Sequence, residues 1–320
     1  MTLIDMRIFL FSGFLLLGFV VASVPDDYVD SSESAEIIDQ DTNTCHYIRA
    51  NSLLEARCQW KSMKISLDLN PDIQVLNVTG KMYPIILSND TLHSYKKLVA
   101  IYLRDNWLLE FDEALFANQH YLKVLDLTRN ILFKLPKNFF QFPYLHTLYL
   151  GHNMLSDSAF KINVTSPLKL LQLNNNIIHV FPNIGVQPTL IHLDVSYNVI
   201  ISISTEDLAP FCSLKKLDLT GNRIRFNASS CDCQRFNAWV KLRQIKMKPD
   251  LYKCIDPPAA LNKDCAKVTF SDRTHKLFNE CLAMAQQKMK TAKASIGLKK
   301  RRPVRLGVLL PSVVRAQAIP

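Results

Sequence analysis

Hydrophobic positions recur along the chain in a pattern eleven residues long. In "LKVLDLTRNIL", which begins at Leu122, apolar residues occupy the first, fourth, sixth and eleventh positions and asparagine the ninth. The same pattern occurs in "LVAIYLRDNWL" from Leu98, "LHTLYLGHNML" from Leu145, "LKLLQLNNNII" from Leu168, "LIHLDVSYNVI" from Leu190 and "LKKLDLTGNRI" from Leu214. The alternating apolar positions four and six predict a short strand in each copy, with one face buried.

A seventh, weaker copy, "IQVLNVTGKMY" from Ile73, has Lys81 in place of the asparagine, as expected of a terminal repeat that stacks on one neighbour. Successive copies begin 25, 24, 23, 23, 22 and 24 residues apart. This interval resembles the leucine-rich repeat, in which each copy contributes one parallel strand and a returning segment. The sequence therefore predicts an α/β leucine-rich-repeat solenoid, a horseshoe of about seven repeats, over residues 73–226.

The asparagine at the ninth position lies where the chain turns off the strand. Backbone groups buried at that turn lack sheet partners, and a carboxamide can both donate to them and accept from them. We expect an internal ladder of such bonds, although exposed turn asparagines would give the same pattern. The ladder residues are Asn106, Asn130, Asn153, Asn176, Asn198 and Asn222.

The first residues predict export from the cell. An apolar run from Ile8 to Val21 follows one basic residue, which is typical of a signal peptide over residues 1–23; retention as an anchor is the alternative. An acidic, disordered linker over residues 24–44 is expected to follow, and no later segment is apolar for long enough to span a membrane. Sequons that agree weakly with a secreted, extracellular protein begin at Asn77, Asn89, Asn163 and Asn227.

Eight cysteines lie outside the central repeats. Cys45 and Cys58 precede the repeats and predict an N-terminal cap over residues 45–72. The other six are Cys212, Cys231, Cys233, Cys254, Cys265 and Cys281. In an oxidising compartment this clustering predicts disulfide-bonded caps, the second over residues 227–271, whereas a zinc site at the "CDC" sequence does not fit known ligand spacings.

Net charge, +10, is unevenly distributed. The segment "DDYVDSSESAEIIDQD" is acidic, the repeats are close to neutral, and nine Lys or Arg but no Asp or Glu follow Cys281. The basic tail, residues 293–320 with "LKKRRPVR", is interpreted as a disordered or trimmed segment, with polyanion binding as the alternative. No nucleic-acid partner is expected.

No catalytic motif or phosphate-binding loop occurs, so we expect neither an enzyme nor a cofactor. His146, His152 and His192 fall at strand positions where they could approach Asp194. We interpret them as solvated residues of the sheet rather than as a metal or acid–base site.

Non-leucine strand positions should point to the concave face of the solenoid, since side chains alternate along a strand. Tyrosine, arginine and histidine on a rigid platform are typical of binding hot spots, although solvated strands look similar. A glycan on Asn77 would direct a partner toward the middle repeats. The candidate ligand-binding residues are Tyr102, Arg104, Asp126, Arg129, Tyr149, His152, Gln172, His192, Asp194 and Tyr197. On the opposite side, "FDEALF" and "LPKNFF" predict buried helical or 3₁₀ returns.

Residues 272–292 predict a short amphipathic helix. Phe278, Leu282, Ala285 and Met289 have the spacing of a heptad seam, but the seam is shorter than two heptads. Packing onto the preceding cap and contact with a partner helix are both open.

The stretch "CDCQRFNAWVKLRQIKMKPDLYKCIDPP" resembles the cysteine-rich C-terminal cap of extracellular leucine-rich-repeat proteins. That resemblance implies pairing of Cys231 with Cys254 and of Cys233 with Cys265 or Cys281. Cys212 would then join this set or remain a buried thiol, and one cysteine is left without an obvious partner.

Residues 45–290 together resemble the secreted leucine-rich-repeat immune proteins of mosquitoes, in a short or coil-less form. The specific cues are "DCQRFNAWV", "YKCIDPPA" and a cysteine before "SDRTHKLF". The resemblance implies a haemolymph protein that forms disulfide-linked or coiled-coil dimers and assists complement-like thioester proteins against bacteria and malaria parasites. Here a single Cys265 stands where that family has adjacent cysteines.

We therefore expect a non-catalytic recognition protein of insect innate immunity, whose partners are a complement-like thioester protein, a related leucine-rich-repeat protein or a microbial surface. An extracellular matrix or cell-adhesion protein, or a soluble Toll-like receptor fragment, is the alternative.

Overall fold

The computed structural model describes residues 44–60, 68–80, 85–137, 139–161, 164–227, 230–255, 265 and 268–300, without the side chains of 60, 85, 89 and 292–300. The expected signal peptide, residues 24–43 of the linker, the sequon at Asn163 and residues 301–320 of the tail lie outside them. The described part of the chain lies between residues 44 and 300.

Ten strands form one sheet in the order β1-β2-β3-β5-β7-β8-β9-β10-β11-β12. β1 pairs antiparallel with β2, and every later neighbour in this sheet is parallel. Their bounds are β1 Thr44–Ala50, β2 Leu53–Trp60, β3 Val75–Gly80, β5 Ala100–Tyr102, β7 Val124–Asp126, β8 Thr147–Tyr149, β9 Leu170–Gln172, β10 His192–Asp194, β11 Lys216–Asp218 and β12 Lys246–Lys248. Two further strands, β4 (Ile85–Leu87) and β6 (Leu108–Phe111), pair separately.

Short helical elements and turns return the chain from one strand to the next. The 3₁₀ helices are Asn89–Thr91 and Asp157–Phe160, and the α-helices are α1 (Thr205–Leu208), α2 (Asp232–Leu242) and α3 (Asp272–Lys300). The returns of "FDEALF" and "LPKNFF" are turns rather than helices, and Phe111 ends strand β6. Their phenylalanines are buried at Phe111, Phe116, Phe139 and Phe140.

The core consists of apolar side chains in register from strand to strand. The central residues of the strands are Leu76, Ile101, Leu125, Leu148, Leu171, Leu193 and Leu217, and each is at most 1% exposed. One strand's inward side chain thus packs on those of both neighbouring coils. The predicted leucine-rich-repeat solenoid is confirmed.

Asparagines tie each coil to the coil before it. The Asn153 Nδ2 atom donates to the carbonyl of Leu127 in the preceding coil at 2.9 Å and to Leu150 in its own coil at 3.1 Å. Its Oδ1 atom accepts from the backbone N–H of Leu132 at 3.1 Å. The same three kinds of bond recur, coil by coil, at Asn130, Asn176, Asn198 and Asn222.

Asn106 begins the ladder and donates to the carbonyls of Val78 and Arg104, both at 2.8 Å. The donor equivalent to Leu132 N–H would lie at residue 83, outside the described residues. Each ladder asparagine therefore bonds backbone groups of its own turn and of the preceding coil, which satisfies polar groups that burial would otherwise leave unpaired.

The residue before each ladder asparagine has a left-handed backbone. Asp105, Arg129, His152, Asn175 and Tyr197 have φ between 51° and 56°, and Gly221 has φ 73°. This conformation costs an L-residue on the order of 1 kcal/mol, and the repeated turn imposes it in every coil. At Gly221 a Cβ would also meet the Tyr197 ring at 2.5 Å, so the last coil requires glycine there.

All eight cysteines are paired. Cys45–Cys58 links β1 to β2, and the C-terminal bonds are Cys212–Cys281, Cys231–Cys265 and Cys233–Cys254. The predicted pairings of Cys231 with Cys254 and of Cys233 with Cys265 or Cys281 are wrong. Cys212 is not a thiol, and no cysteine is left over.

The corrected pairing follows from the start of α2. Cys231 precedes the helix and Cys233 lies within its first turn, so their side chains diverge by roughly 200°. Asn237 lies one turn beyond Cys233 on the same face and donates to the Tyr252 carbonyl at 2.7 Å. That bond places Cys254 beside Cys233, leaving Cys231 to Cys265.

Helix α3 packs on the cap through its first ten residues. The Thr274 hydroxyl is fully buried, 2.9 Å from that of Thr205, and the Phe278 ring lies edge-on to Trp239 at 5.4 Å. Leu282 is 37% exposed and Met289 58% exposed. Of the predicted seam, Phe278 thus makes the cap contact, and the helix continues to Lys300, eight residues beyond the predicted end.

Candidate functional site: the outward face of the sheet

We define the sheet face as the outward side chains of strands β3 to β11, the face predicted to be concave. Two positions in each strand point outward, since the residue between them is buried. The first and third strand residues are therefore the candidates, and register aligns them in two rows. The third-residue row reads Asn77, Tyr102, Asp126, Tyr149, Gln172, Asp194 and Asp218.

A buried carboxylate lies at the centre of this face. Asp126 is 1% exposed and stands in register between Tyr102 and Tyr149. Its Oδ2 atom accepts from Arg104 at 2.5 Å, and its Oδ1 atom accepts from the Thr128 N–H at 2.9 Å. The Arg104 guanidinium also lies 5.6 Å from the centre of the Tyr102 ring. We call these four residues, Tyr102, Arg104, Asp126 and Tyr149, the central cluster.

The two tyrosines of the central cluster keep their protons. Burial, with a second contribution from the Asp126 charge, raises the pKa of both Tyr102 and Tyr149. Each is half-buried, so its ring is fixed by packing while part of it faces solvent. A partner would meet two neutral phenols, one guanidinium and a rigid apolar surface.

Aspartates at the third strand position also cap the turn that follows. Asp194 Oδ1 accepts from the Ser196 N–H at 3.0 Å, and Asp218 Oδ1 from the Thr220 N–H at 3.0 Å, as in the bond from Thr128 to Asp126. The sequence signal is Asp-x-Ser/Thr, which our sequence analysis missed. One oxygen of Asp194 is therefore used by its own turn.

Arg129, His152 and Tyr197 occupy the left-handed position after the strands and are exposed. Arg104 does not align with them, because it occupies the preceding position, equivalent to Thr128. Asp105 is the residue equivalent to Arg129, and the two charges lie 3.9 Å apart. The Arg104 side chain therefore belongs to the central cluster and not to the row of Arg129, His152 and Tyr197.

The remaining candidates occupy the C-terminal half of the sheet face. Gln172 is partly exposed and in register between Tyr149 and Asp194. His192 lies in the first-residue row, where burial is the main cause of its lowered pKa, partly opposed by Asp194.

The three histidines considered together in the sequence do not form one site. Burial, then the charges of Lys169 and Lys123, lower the pKa of His146, whose Nδ1 atom lies 3.1 Å from the Thr147 hydroxyl. His152 is exposed and 3.4 Å from the Asn175 amide. Among the residues of described structure, no group of three or more His, Cys, Asp or Glu is arranged to hold a metal ion.

Two of the sequons lie at informative places. Asn77 lies in β3, in register with Tyr102, so a glycan there would stand beside the central cluster. Asn227 is exposed just before the C-terminal cap. Asn89 belongs to a 3₁₀ helix.

Comparison with known proteins supports this architecture. The family model for leucine rich repeats matches residues 96–155 and 166–224. These two segments are leucine-rich repeats. Mouse Toll-like receptor 7 is 31% identical over 135 residues, 39% of this chain and 12% of that protein. The human leucine-rich repeats and immunoglobulin-like domains protein 3 is 35% identical over 103 residues, 32% of this chain and 9% of that protein.

More distant relatives include the adenylate cyclase of Schizosaccharomyces pombe, 25% identical over 187 residues, 55% of this chain and 11% of that protein. The matched part of the chain thus spans about a tenth of each of these curated relatives.

Two solved structures align with part of this chain. The repeat domain of APL1B aligns with a TM-score of 0.40 and 20% identity, over 48% of this chain and 42% of that one. The LRIM1/APL1C complex aligns with a TM-score of 0.39 and 21% identity, over 56% of this chain and 35% of that one. In the part of the solenoid and cap that the structure describes, no helix has the length and hydrophobicity of a membrane span.

Proposed function

We propose that the solenoid is a secreted, non-catalytic recognition protein of insect innate immunity that binds a protein partner through the central cluster of its sheet face. The observation that carries this proposal is the buried Asp126, bonded to Arg104 between two half-buried tyrosines. Tyrosine and arginine are enriched among the few interface residues that contribute most of the binding energy. Here the ladder-supported strands hold both residue types in place.

Secretion is supported by the disulfides. Four bonds join all eight cysteines. Such bonds persist in oxidising compartments and are rare in the cytosol. The apolar N-terminal run and the resemblance of residues 45–290 to secreted mosquito immune proteins point the same way.

The proposed partners are a complement-like thioester protein or a related leucine-rich-repeat protein, and a microbial surface is a further candidate. A protein partner is favoured because the central cluster presents neutral rings around one guanidinium, which suits a mixed apolar and polar surface.

Substitution of Tyr149 tests the proposal. A partner is first recovered from haemolymph without reducing agent, identified by mass spectrometry and purified, and its affinity for the whole protein is then measured. Tyr149→Ala should weaken binding by at least about tenfold, the usual effect of removing an interface hot spot. Tyr121→Ala, which removes an exposed tyrosine at the opposite end of the neighbouring strand, is the matched control. Equal affinities for the two variants would contradict the proposal.

The alternative is an extracellular adhesion or matrix protein, or a soluble Toll-like receptor fragment. The 31% identity with mouse Toll-like receptor 7 favours it. The abundance of the protein after infection and its location distinguish the two functions. An increase in haemolymph after infection supports immune recognition, and constitutive retention on the surface of neurons or muscle supports adhesion.

A further inference from the structure

Lysines gather at one end of the parallel strands. Lys123, Lys169 and Lys215 occupy the position just before the strand, and Lys216 and Lys246 the first strand position; all five are exposed. We call these five residues the lysine rim. Six consecutive segments at this level contain no Asp or Glu: 119–124, 142–147, 165–170, 187–192, 211–216 and 243–246. The repeats are close to neutral overall, and folding therefore places their lysines together at one end of the strands.

Hydrogen bonds show that the lysine rim is continuous. His146 N–H donates to the Lys123 carbonyl at 3.1 Å, and Lys169 N–H donates to His146 at 2.8 Å. Ile191 then bonds to Lys169 and Lys215 to Ile191, and Lys246 N–H donates to Lys215 at 2.8 Å. With strands about 4.8 Å apart, the five steps from Lys123 to Lys246 span roughly 24 Å.

The lysine rim has no internal counter-charge. None of its five lysines takes part in an ion pair between described residues. The nearest row of carboxylates, Asp126, Asp194 and Asp218, lies two or three residues further along the strands. Asp126 is paired with Arg104, and all three accept bonds from their own turns.

Two exposed tyrosines lie beside the lysine rim. Tyr121 is 59% exposed and Tyr144 54% exposed, and their rings are stacked with centroids 6.5 Å apart and planes at 16°. Each precedes by two residues a rim-level residue, Lys123 or His146. An aromatic face offers apolar packing to the C–H groups of a sugar ring, while the phenol remains in water.

We propose that the lysine rim, with the Tyr121–Tyr144 pair, binds a linear sulfated polysaccharide laid across the strands. The proposal depends on the extracellular location in the proposed function. Lysine is a compact point charge, and the rim has no arginine fork for bidentate phosphate or base recognition. A surface of this kind recognises charge density along a chain, and sulfated polysaccharides are the linear polyanions that an extracellular protein meets.

Three substitutions in the whole protein test this. Lys123→Gln, Lys169→Gln and Lys215→Gln together should weaken binding of a heparin oligosaccharide about tenfold at physiological salt. The slope of log affinity against log salt should also fall by about three, because binding without these three lysines releases about three fewer counterions. Lys137→Gln, Lys161→Gln and Lys276→Gln remove the same charge from exposed positions outside the rim and should leave heparin binding unchanged.

Other probes decide between ligands. Hyaluronan, which carries one carboxylate per disaccharide, should bind weakly, and single-stranded DNA of equal charge should compete poorly with heparin. Equal losses in the two lysine triples, or tighter binding of DNA than heparin, would overturn the proposal. So would loss only on changing Lys299, Lys300, Arg301 and Arg302 to Gln, since heparin would then bind the tail.

The outcome is separable from that of the proposed function. Tyr149→Ala should leave heparin affinity unchanged, and the rim triple should leave the affinity of the protein partner unchanged. Heparin binding without a Tyr149-dependent partner would overturn recognition through the central cluster alone. The reverse result would overturn the lysine rim alone.

Discussion

The repeats and the C-terminal cap are held together in different ways. Between β5 and β11 every coil makes the same contacts: one buried leucine or isoleucine at the centre of the strand and one asparagine that bonds to the preceding coil. The cap contains three disulfides and a group of aromatic rings in which Trp239 contacts Phe270 and Phe278. None of its contacts repeats.

This difference determines how much of the molecule a destabilising substitution affects. In the repeats each coil is completed by its neighbours, so stability is approximately a sum of coil and interface contributions. In the cap, disulfide bonds hold segments that make few apolar contacts. A broken coil should therefore weaken the whole solenoid, and a broken cap bond should loosen one segment.

The largest effect is expected for Leu148→Asp. The side chain is fully buried between Leu125 and Leu171, and a carboxylate there would be desolvated without a partner. We expect a loss of more than about 4 kcal/mol in the free energy of unfolding and no secreted protein. Thr147→Asp, one residue earlier and facing outward, is the control, to be compared by secretion yield. Similar yields would show that the assigned register is wrong.

Asn153→Ala should have the next largest effect. It leaves the Leu132 N–H without a partner and removes one of the two asparagine donors from each of the Leu127 and Leu150 carbonyls. We expect a total loss near 3 kcal/mol in urea unfolding, since an unpaired buried group costs about 1–3 kcal/mol and each lost bond about 1 kcal/mol. Asn222→Ala breaks the same three bonds at a more exposed end, where water can replace them, and should cost about 1 kcal/mol. Equal costs would contradict a ladder whose strength depends on burial.

Changing Cys212 and Cys281 together to serine should act locally. The bond contributes about 2–4 kcal/mol by the usual estimate, and it attaches α3 to the end of the repeats. We expect α3 to lose protection from hydrogen exchange while strands β5 to β10 keep theirs. Loss of protection throughout the solenoid would show that cap and repeats unfold as one unit.

The smallest effect should come from pH. Burial lowers the pKa of His146 below its usual 6.5, so its neutral form is favoured in the fold. The stability this represents is complete above pH 6.5 and is lost as the pH falls through the lowered value. His146→Gln should therefore reduce the fall in melting temperature between pH 7 and pH 5.

The repeats were predictable because the residues that determine their structure recur at a regular spacing in the sequence. The spacing of Leu125, Leu148 and Leu171 fixes strand, face and register together, and the ninth-position asparagine identifies the turn. Pairing of Cys231 with Cys265 was not predictable, because it depends on how Asn237 holds residues 252–254 against α2. That contact has no sequence period.

The sheet face was predictable only in part. The residues facing outward follow from alternation, but the burial of Asp126 depends on Arg104, which occupies a different position in its coil from Asp126. The lysine rim was hidden because summing charges along the sequence cancels Lys123 against Asp126. Only the stacking of parallel strands separates the two signs.

Each ladder asparagine bonds to the turn of the coil that precedes it, so each coil depends on the coil that is synthesised after it. A chain emerging from the ribosome cannot finish any coil until the following one has been synthesised. The most recently synthesised turn therefore has unpaired backbone groups until the next coil forms. That exposure ends only when the C-terminal cap covers the last coil.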